Sequence, residues 1–196
     1  MRLRSICTSL ILGICTLASS AQMGSTHMKV AVGTQMSPVQ AQDELLNLFE
    51  HEFMGVAKEM PADKYGFAPT AATFAPSQGA KYDGVRNFAQ EISHVTEANY
   101  FFASKILGEK PPVDMKSIDS MTTKDQLVKA AADSFAYAHK ALASITPANA
   151  YTAIDGVDGL HTRSVIASFI SAHGFDHYGQ MVEYLRMNGM VPPGSK

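Results

Sequence analysis

The sequence predicts an all-α fold, an antiparallel four-helix bundle with a long first connection, on three observations. Apolar residues recur at three- and four-residue steps in four separate stretches of about 20 to 27 residues, the pattern of helices with one buried face. Each stretch opens near a capping residue or closes on proline or glycine. Between the stretches no convincing alternation marks a strand.

Ser37 followed by Pro38 starts the first helix, because a serine oxygen caps free amides and proline at the first position loses no hydrogen bond. Leu45, Leu48, Phe49, Phe53 and Val56 then form one buried stripe, and the helix runs to about Met60, before Pro61. From Ala62 to Lys81 the chain carries Pro69 and Pro76 and loses its helical repeat. Connections of this length inside compact domains are often functional. The second helix is expected from Tyr82 to Leu107, with Val85, Phe88, Ile92, Val95, Asn99, Phe102 and Ile106 on one face and Gly108 at its end. Thr122 or Thr123 caps a third helix through Leu127, Ala130, Ala131, Phe135 and Leu142 to about Ile145. A loop with Gly156 and Gly159 leads to the last helix, which runs from near Thr162 to Asn188 and closes on Gly189.

With 196 residues and 46% hydrophobic content, the chain has the size of one domain with a full apolar core. A formal charge of −2 and a pI near 6.4 provide no basic field to hold a phosphate backbone, so nucleic acid is not an expected partner. Arg2 and Arg4 precede an apolar run from Ile6 to Leu17 and the small residues Ala18 to Ala21, the layout of a secretory signal peptide. Residues 1–21 therefore read as a signal cleaved near Ala21, 22–36 as a flexible leader and 37–194 as the bundle, with export to the periplasm or the medium. No segment reaches the roughly 20 apolar residues of a membrane helix. Cys7 and Cys15 both lie in the signal. The mature chain is then free of thiols, which excludes disulfides and thiolate chemistry. It also keeps 14 basic side chains against 18 acids.

Seven histidines remain to be placed. His27 falls in the leader, His51 between two glutamates, His139 beside Lys140 and His161 in a loop, and each reads as solvated or capping. His173 and His177 differ, since a spacing of four puts two imidazoles on one helical face, one turn apart. They are not a metalloprotease motif, because Gly174 stands where the general base belongs. His94 lies on the apolar side of the second helix, among Ile92, Val95 and Phe102. Three buried imidazoles with few carboxylates nearby are satisfied by a shared divalent cation, and three nitrogens leave a position open for water or substrate.

The stretch from Val85 to Val95, with Ala98-Asn99-Tyr100-Phe101-Phe102 after it, resembles the second-helix signature of the DinB-like (DinB/YfiT) family. The segment from His173 to Gln180, continuing through Tyr184-Leu185-Arg186 to Pro192-Pro193, resembles that family's last helix and tail, and Asp63 to Thr70 its first connection. The likeness covers residues 37 to 194. It implies a bundle whose three histidines bind zinc, nickel or manganese, with zinc favoured, and homodimerisation. It also implies kinship with transferases and isomerases that use low-molecular-weight thiols.

The first functional expectation is therefore an exported metal-dependent thiol transferase or hydrolase, with Asp176, Glu97 and Gln180 as candidates to handle protons beside the metal and a small-molecule substrate. The second is a non-catalytic, metal-stabilised bundle that binds a small apolar ligand or an envelope protein through Met54, Met181, Met187 and Met190.

Overall fold

The computed structural model describes residues 30–73, 79 and 81–196. The segment expected to be a signal peptide, most of the expected leader with His27, and Pro76 of the first connection lie outside these. The described residues are predominantly helical, with α1 at Pro38–Glu59, α2 at Phe88–Leu107, a short α3 at Met115–Asp119, α4 at Lys124–Ala143 and α5 at Arg163–Met187. Among them, no helix is long and apolar enough to cross a membrane.

Helix starts follow local chemistry closely. Ser37, Asn87 and Thr123 each accept a bond from the amide three residues on and receive the side chain of Gln40, Gln90 or Gln126 in return. Such a reciprocal box satisfies two free donors and is worth about 1 kcal/mol per helix. The box at Asn87 also corrects the expected start of α2, which begins at Phe88 rather than Tyr82. Val85 thus lies outside the helix and is exposed.

A β-hairpin was not foreseen. Strands β1 (Ala153–Val157) and β2 (Leu160–Thr162) pair antiparallel in the loop before α5. The two residues between them, Asp158 and Gly159, have φ of 50° and 81°. Both are left-handed, as a two-residue hairpin turn whose twist matches its strands requires, and Asp-Gly is a favoured pair for it.

The four long helices enclose one core, α1 and α2 each packing against both α4 and α5. The sequence expectation of antiparallel neighbours needs correction. Along α1 and α5, Gln42 meets Ser164, Phe49 meets Phe175 and Glu52 meets Tyr178, so these two helices run the same way. Asn99 with Ser134 and Tyr100 with Tyr137 make α2 and α4 parallel too. The cause is the connection from 108 to 123. It packs α3 along α2, with Ile118 buried, and carries the chain back to the end where α2 began. Sixteen residues reach up to about 50 Å extended, ample against the ~30 Å length of a 20-residue helix.

Phe49, Phe53 and Phe135 are fully buried in edge-on contacts, with ring centres 5.2 to 5.8 Å apart. Each ring contributes about 1.5–3 kcal/mol through burial. Leu45 and Leu48, expected on the same stripe, are 40% and 42% exposed. Leu46 takes the inward position instead. The first connection folds back over the end of the helices, with Tyr65 buried and its hydroxyl donating to the Ala57 carbonyl at 2.6 Å.

His139 is not the solvated side chain expected. It bridges α4 to α1, with Nδ1 2.6 Å from Asp43 Oδ1 and Nε2 3.1 Å from Glu50 Oε2. Burial alone would lower its pKa, but the bonds from Glu50 and Asp43 outweigh burial and raise it above 6.5. A raised folded pKa means that this contribution is complete below the unfolded value and is lost as pH rises through the folded one. His139→Gln is therefore expected to cost about 1 kcal/mol more at pH 6 than at pH 9, by urea unfolding. Equal losses at the two pH values would contradict the ion-paired assignment.

Candidate metal centre

His94 comes from α2, and His173 and His177 from the antiparallel stretch of α5 beside it. The fold brings all three together. Ring centres lie 4.6 Å apart for His94 and His177, 4.7 Å for His173 and His177, and 5.2 Å for His94 and His173. One ring nitrogen from each lies within 4.8 Å of the other two, so the group is able to hold a metal ion. His177 is buried, and the other two are half-buried.

Gly174 explains how α5 comes close enough to α1. A Cβ at this position would sit 2.0 Å from Phe49 Cζ, inside the aromatic cluster. The residue that rules out a protease motif is thus a packing requirement, one turn of backbone pressed on a phenyl ring between the two histidines.

Glu91, on α2 one turn before His94, was missed by sequence reasoning. Its Oε2 lies 2.6 Å from His177 Nδ1, and the pair is nearly inaccessible to solvent. A carboxylate accepts, so the proton belongs on Nδ1 and the Nε2 lone pair is left free. A signal did exist: an acidic residue on the helical face between Phe88 and Val95, three positions before a candidate ligand, has to find a partner inside.

The candidates chosen from sequence fare differently. Asp176 is exposed and Gln180 half-buried, each on α5 with no described bond to the histidines. Glu97 faces a cleft of about 180 Å³ on the outer side of His94, lined also by Arg86, Gln90, Ser93 and Asp119. Burial first, then the charge of Asp119 and a bond to it, push the Glu97 pKa up to about 7. Met54 and Met181 are core residues, and Met187 is exposed, so these methionines do not make the adaptable lining expected of a ligand-binding bundle.

Electrostatics keep the imidazoles ready to donate lone pairs. His94 is lowered to about 4, first by burial and then by Arg86, whose Nη2 lies 3.5 Å from His94 Nδ1, and by the other two histidines. His173 is lowered too, by burial and by His177. Phe102 and Phe169 wall His173, with ring centres 5.6 and 5.9 Å away.

Fold and cluster together define a helical protein with a three-histidine centre between two long helices. The chain belongs to the DinB superfamily, which it matches over residues 45–181, from within α1 to most of the way along α5. Among curated proteins, none matches the chain.

Proposed function

We propose that this chain is an exported, metal-dependent enzyme of the thiol-transfer or hydrolytic class, built as a four-helix bundle in which His94, His173 and His177 hold one divalent ion. The observation that carries the reading is the convergence of three imidazoles, one of them backed by a buried carboxylate. The donor set suits such an ion. Two atoms bound to one zinc at 2.0–2.1 Å lie no more than about 4 Å apart, so the three nitrogens, within 4.8 Å of one another, would draw together slightly around the ion. Neutral imidazoles suit zinc or nickel better than manganese, which prefers oxygen donors, and zinc is the ion we propose.

When bound, the ion supplies the Lewis acidity that lowers the pKa of a coordinated water or thiol. The chain's own residues do the rest. Glu91 keeps the His177 proton at Nδ1 and orients the ring, while Phe102 and Phe169 exclude water from one side of His173. Tyr184 donates to the Arg86 carbonyl at 3.0 Å, which anchors the segment that carries the guanidinium beside His94. Export rests on Arg2, Arg4 and the apolar run to Leu17. Homodimerisation rests on family likeness and is read out by light scattering.

The direct test measures transfer of small thiols to electrophilic acceptors, and hydrolysis of activated esters, by zinc-loaded protein and by His177→Ala. Rates should fall by more than ~100-fold in the variant, since it removes a ligand rather than a partner of one. Equal rates would remove the enzyme reading. A subtler change, Glu91→Gln, is expected to weaken metal affinity by about 10–100-fold with the fold intact. Chelator competition measures it, and unchanged affinity would show that Glu91 serves packing alone.

A further inference from the structure

The cleft outside His94 holds ionisable groups of both signs that no salt bridge within the protein neutralises. Among the described residues, Arg86, Glu97 and Asp119 form no salt bridge. Glu97 shares a hydrogen bond with Asp119, but its Oε1 is shielded from solvent and has no partner. Leaving a buried carboxylate oxygen unmatched costs free energy that a bound group of opposite charge recovers. The opposing charges are arranged in order. Arg86 belongs to the segment before α2, Glu97 to the middle of α2, and Asp119 to the end of α3, with His94 among them. Gln90 commits its carbonyl oxygen to the Asn87 amide at 2.9 Å, so its NH₂ is left to donate. The volume, about 180 Å³, is below the roughly 300 Å³ of sites that bury drug-sized ligands, which restricts the occupant to a small molecule or one end of a larger one.

We propose that this cleft binds a small dipolar molecule, its anionic group on Arg86 and Gln90 and its ammonium group on the Glu97 and Asp119 carboxylates, and so presents an amino-acid-like substrate to the three-histidine centre. A guanidinium matches a carboxylate with two parallel hydrogen bonds, and an ammonium supplies three donors to the paired acids. An apolar ligand finds no complement in this lining, and a simple anion would face Glu97 and Asp119. As a substrate site the cleft rests on the metal-centre reading; as a binding site it stands on its own residues.

Calorimetric titration with straight-chain ω-amino acids from glycine to 6-aminohexanoate, against the carboxylic acid and the amine of matching length, tests the proposal. It is run on metal-loaded and on metal-free protein. At least one amino acid should bind more than 10-fold tighter than both of its matched halves. Arg86→Gln should abolish its advantage over the amine, with Arg86→Lys restoring part of it. Asp119→Asn and Glu97→Gln should abolish its advantage over the acid. Metal content should be unchanged in Asp119→Asn and Glu97→Gln, since neither side chain is bonded to a proposed ligand. Equal binding of the three compound classes, no binding, or variants that bind like the parent would overturn the cleft assignment. Amino-acid binding by a protein that takes up no metal would instead sink the metal-centre reading and leave the cleft standing.

Discussion

Substituting His94 with alanine is expected to reduce bound metal from one ion per chain to a trace after gel filtration, with zinc affinity falling by more than ~100-fold. The magnitude follows from comparison. Loss of a group that merely orients a ligand costs about 10–100-fold, and loss of one of three ligands must cost more. The imidazole is half-buried and held near neutrality, so its removal opens a small gap without stranding a charge. Elemental analysis of protein purified without a histidine tag checks the stoichiometry, and circular dichroism checks that the helices persist. Full metal retention in His94→Ala would show that the α2 imidazole is a bystander to the pair on α5.

Gly174→Ala is expected to be among the most damaging single-methyl changes in the chain. The added carbon meets three atoms of the Phe49 ring at 2.0 to 2.6 Å, and that ring is itself held by Phe53, Phe135 and Phe175. Overpacking of this kind costs about 1–3 kcal/mol. In a chain of this size each kcal/mol lowers Tm by roughly 2–4 °C. Gly179, on the same helix, provides the control, because a methyl added there would have nothing within 4 Å. At that position alanine should be neutral or stabilising by up to about 1 kcal/mol, because glycine is the poorer helix former. Thermal unfolding of the two variants distinguishes a steric effect from a propensity effect. In the double variant Phe49→Leu/Gly174→Ala the two losses should sum to less than their separate values, since the smaller side chain makes room for the methyl. Strict additivity would mean that the close approach of α5 to α1 is not what excludes a side chain at 174.

Much of the architecture was legible locally. Ser37 was readable as a cap, and Thr123 as one of two candidates with Thr122, because an oxygen one residue before an apolar repeat satisfies free amides whatever the rest of the chain does. Gly108 was readable as a stop, and it adopts a left-handed φ of 73°. The pair at 173 and 177 was legible for the same reason, since helical periodicity alone places those two rings together. The start of α2 was misjudged because Tyr82 and Val85 continue an apolar rhythm that the Asn87 cap overrides. The hairpin was missed although Asp158-Gly159 was in plain sight, a pair whose left-handed preference should have outweighed the shortness of its strands.

What the residues determined by themselves was the class of fold, the helix limits to within a few positions except at the start of α2, and the three imidazoles worth watching, because each depends on neighbours a few residues away. What only the tertiary structure decided was which groups face those imidazoles. Glu91 reaches His177 across 86 positions of sequence, and His139 meets Asp43 across 96. The parallel course of α2 and α4 depends on how the segment from 108 to 123 lies along α2. Such pairings are set by the direction and rotation of whole helices around a shared core, and helical periodicity says which face is buried but not which partner it meets.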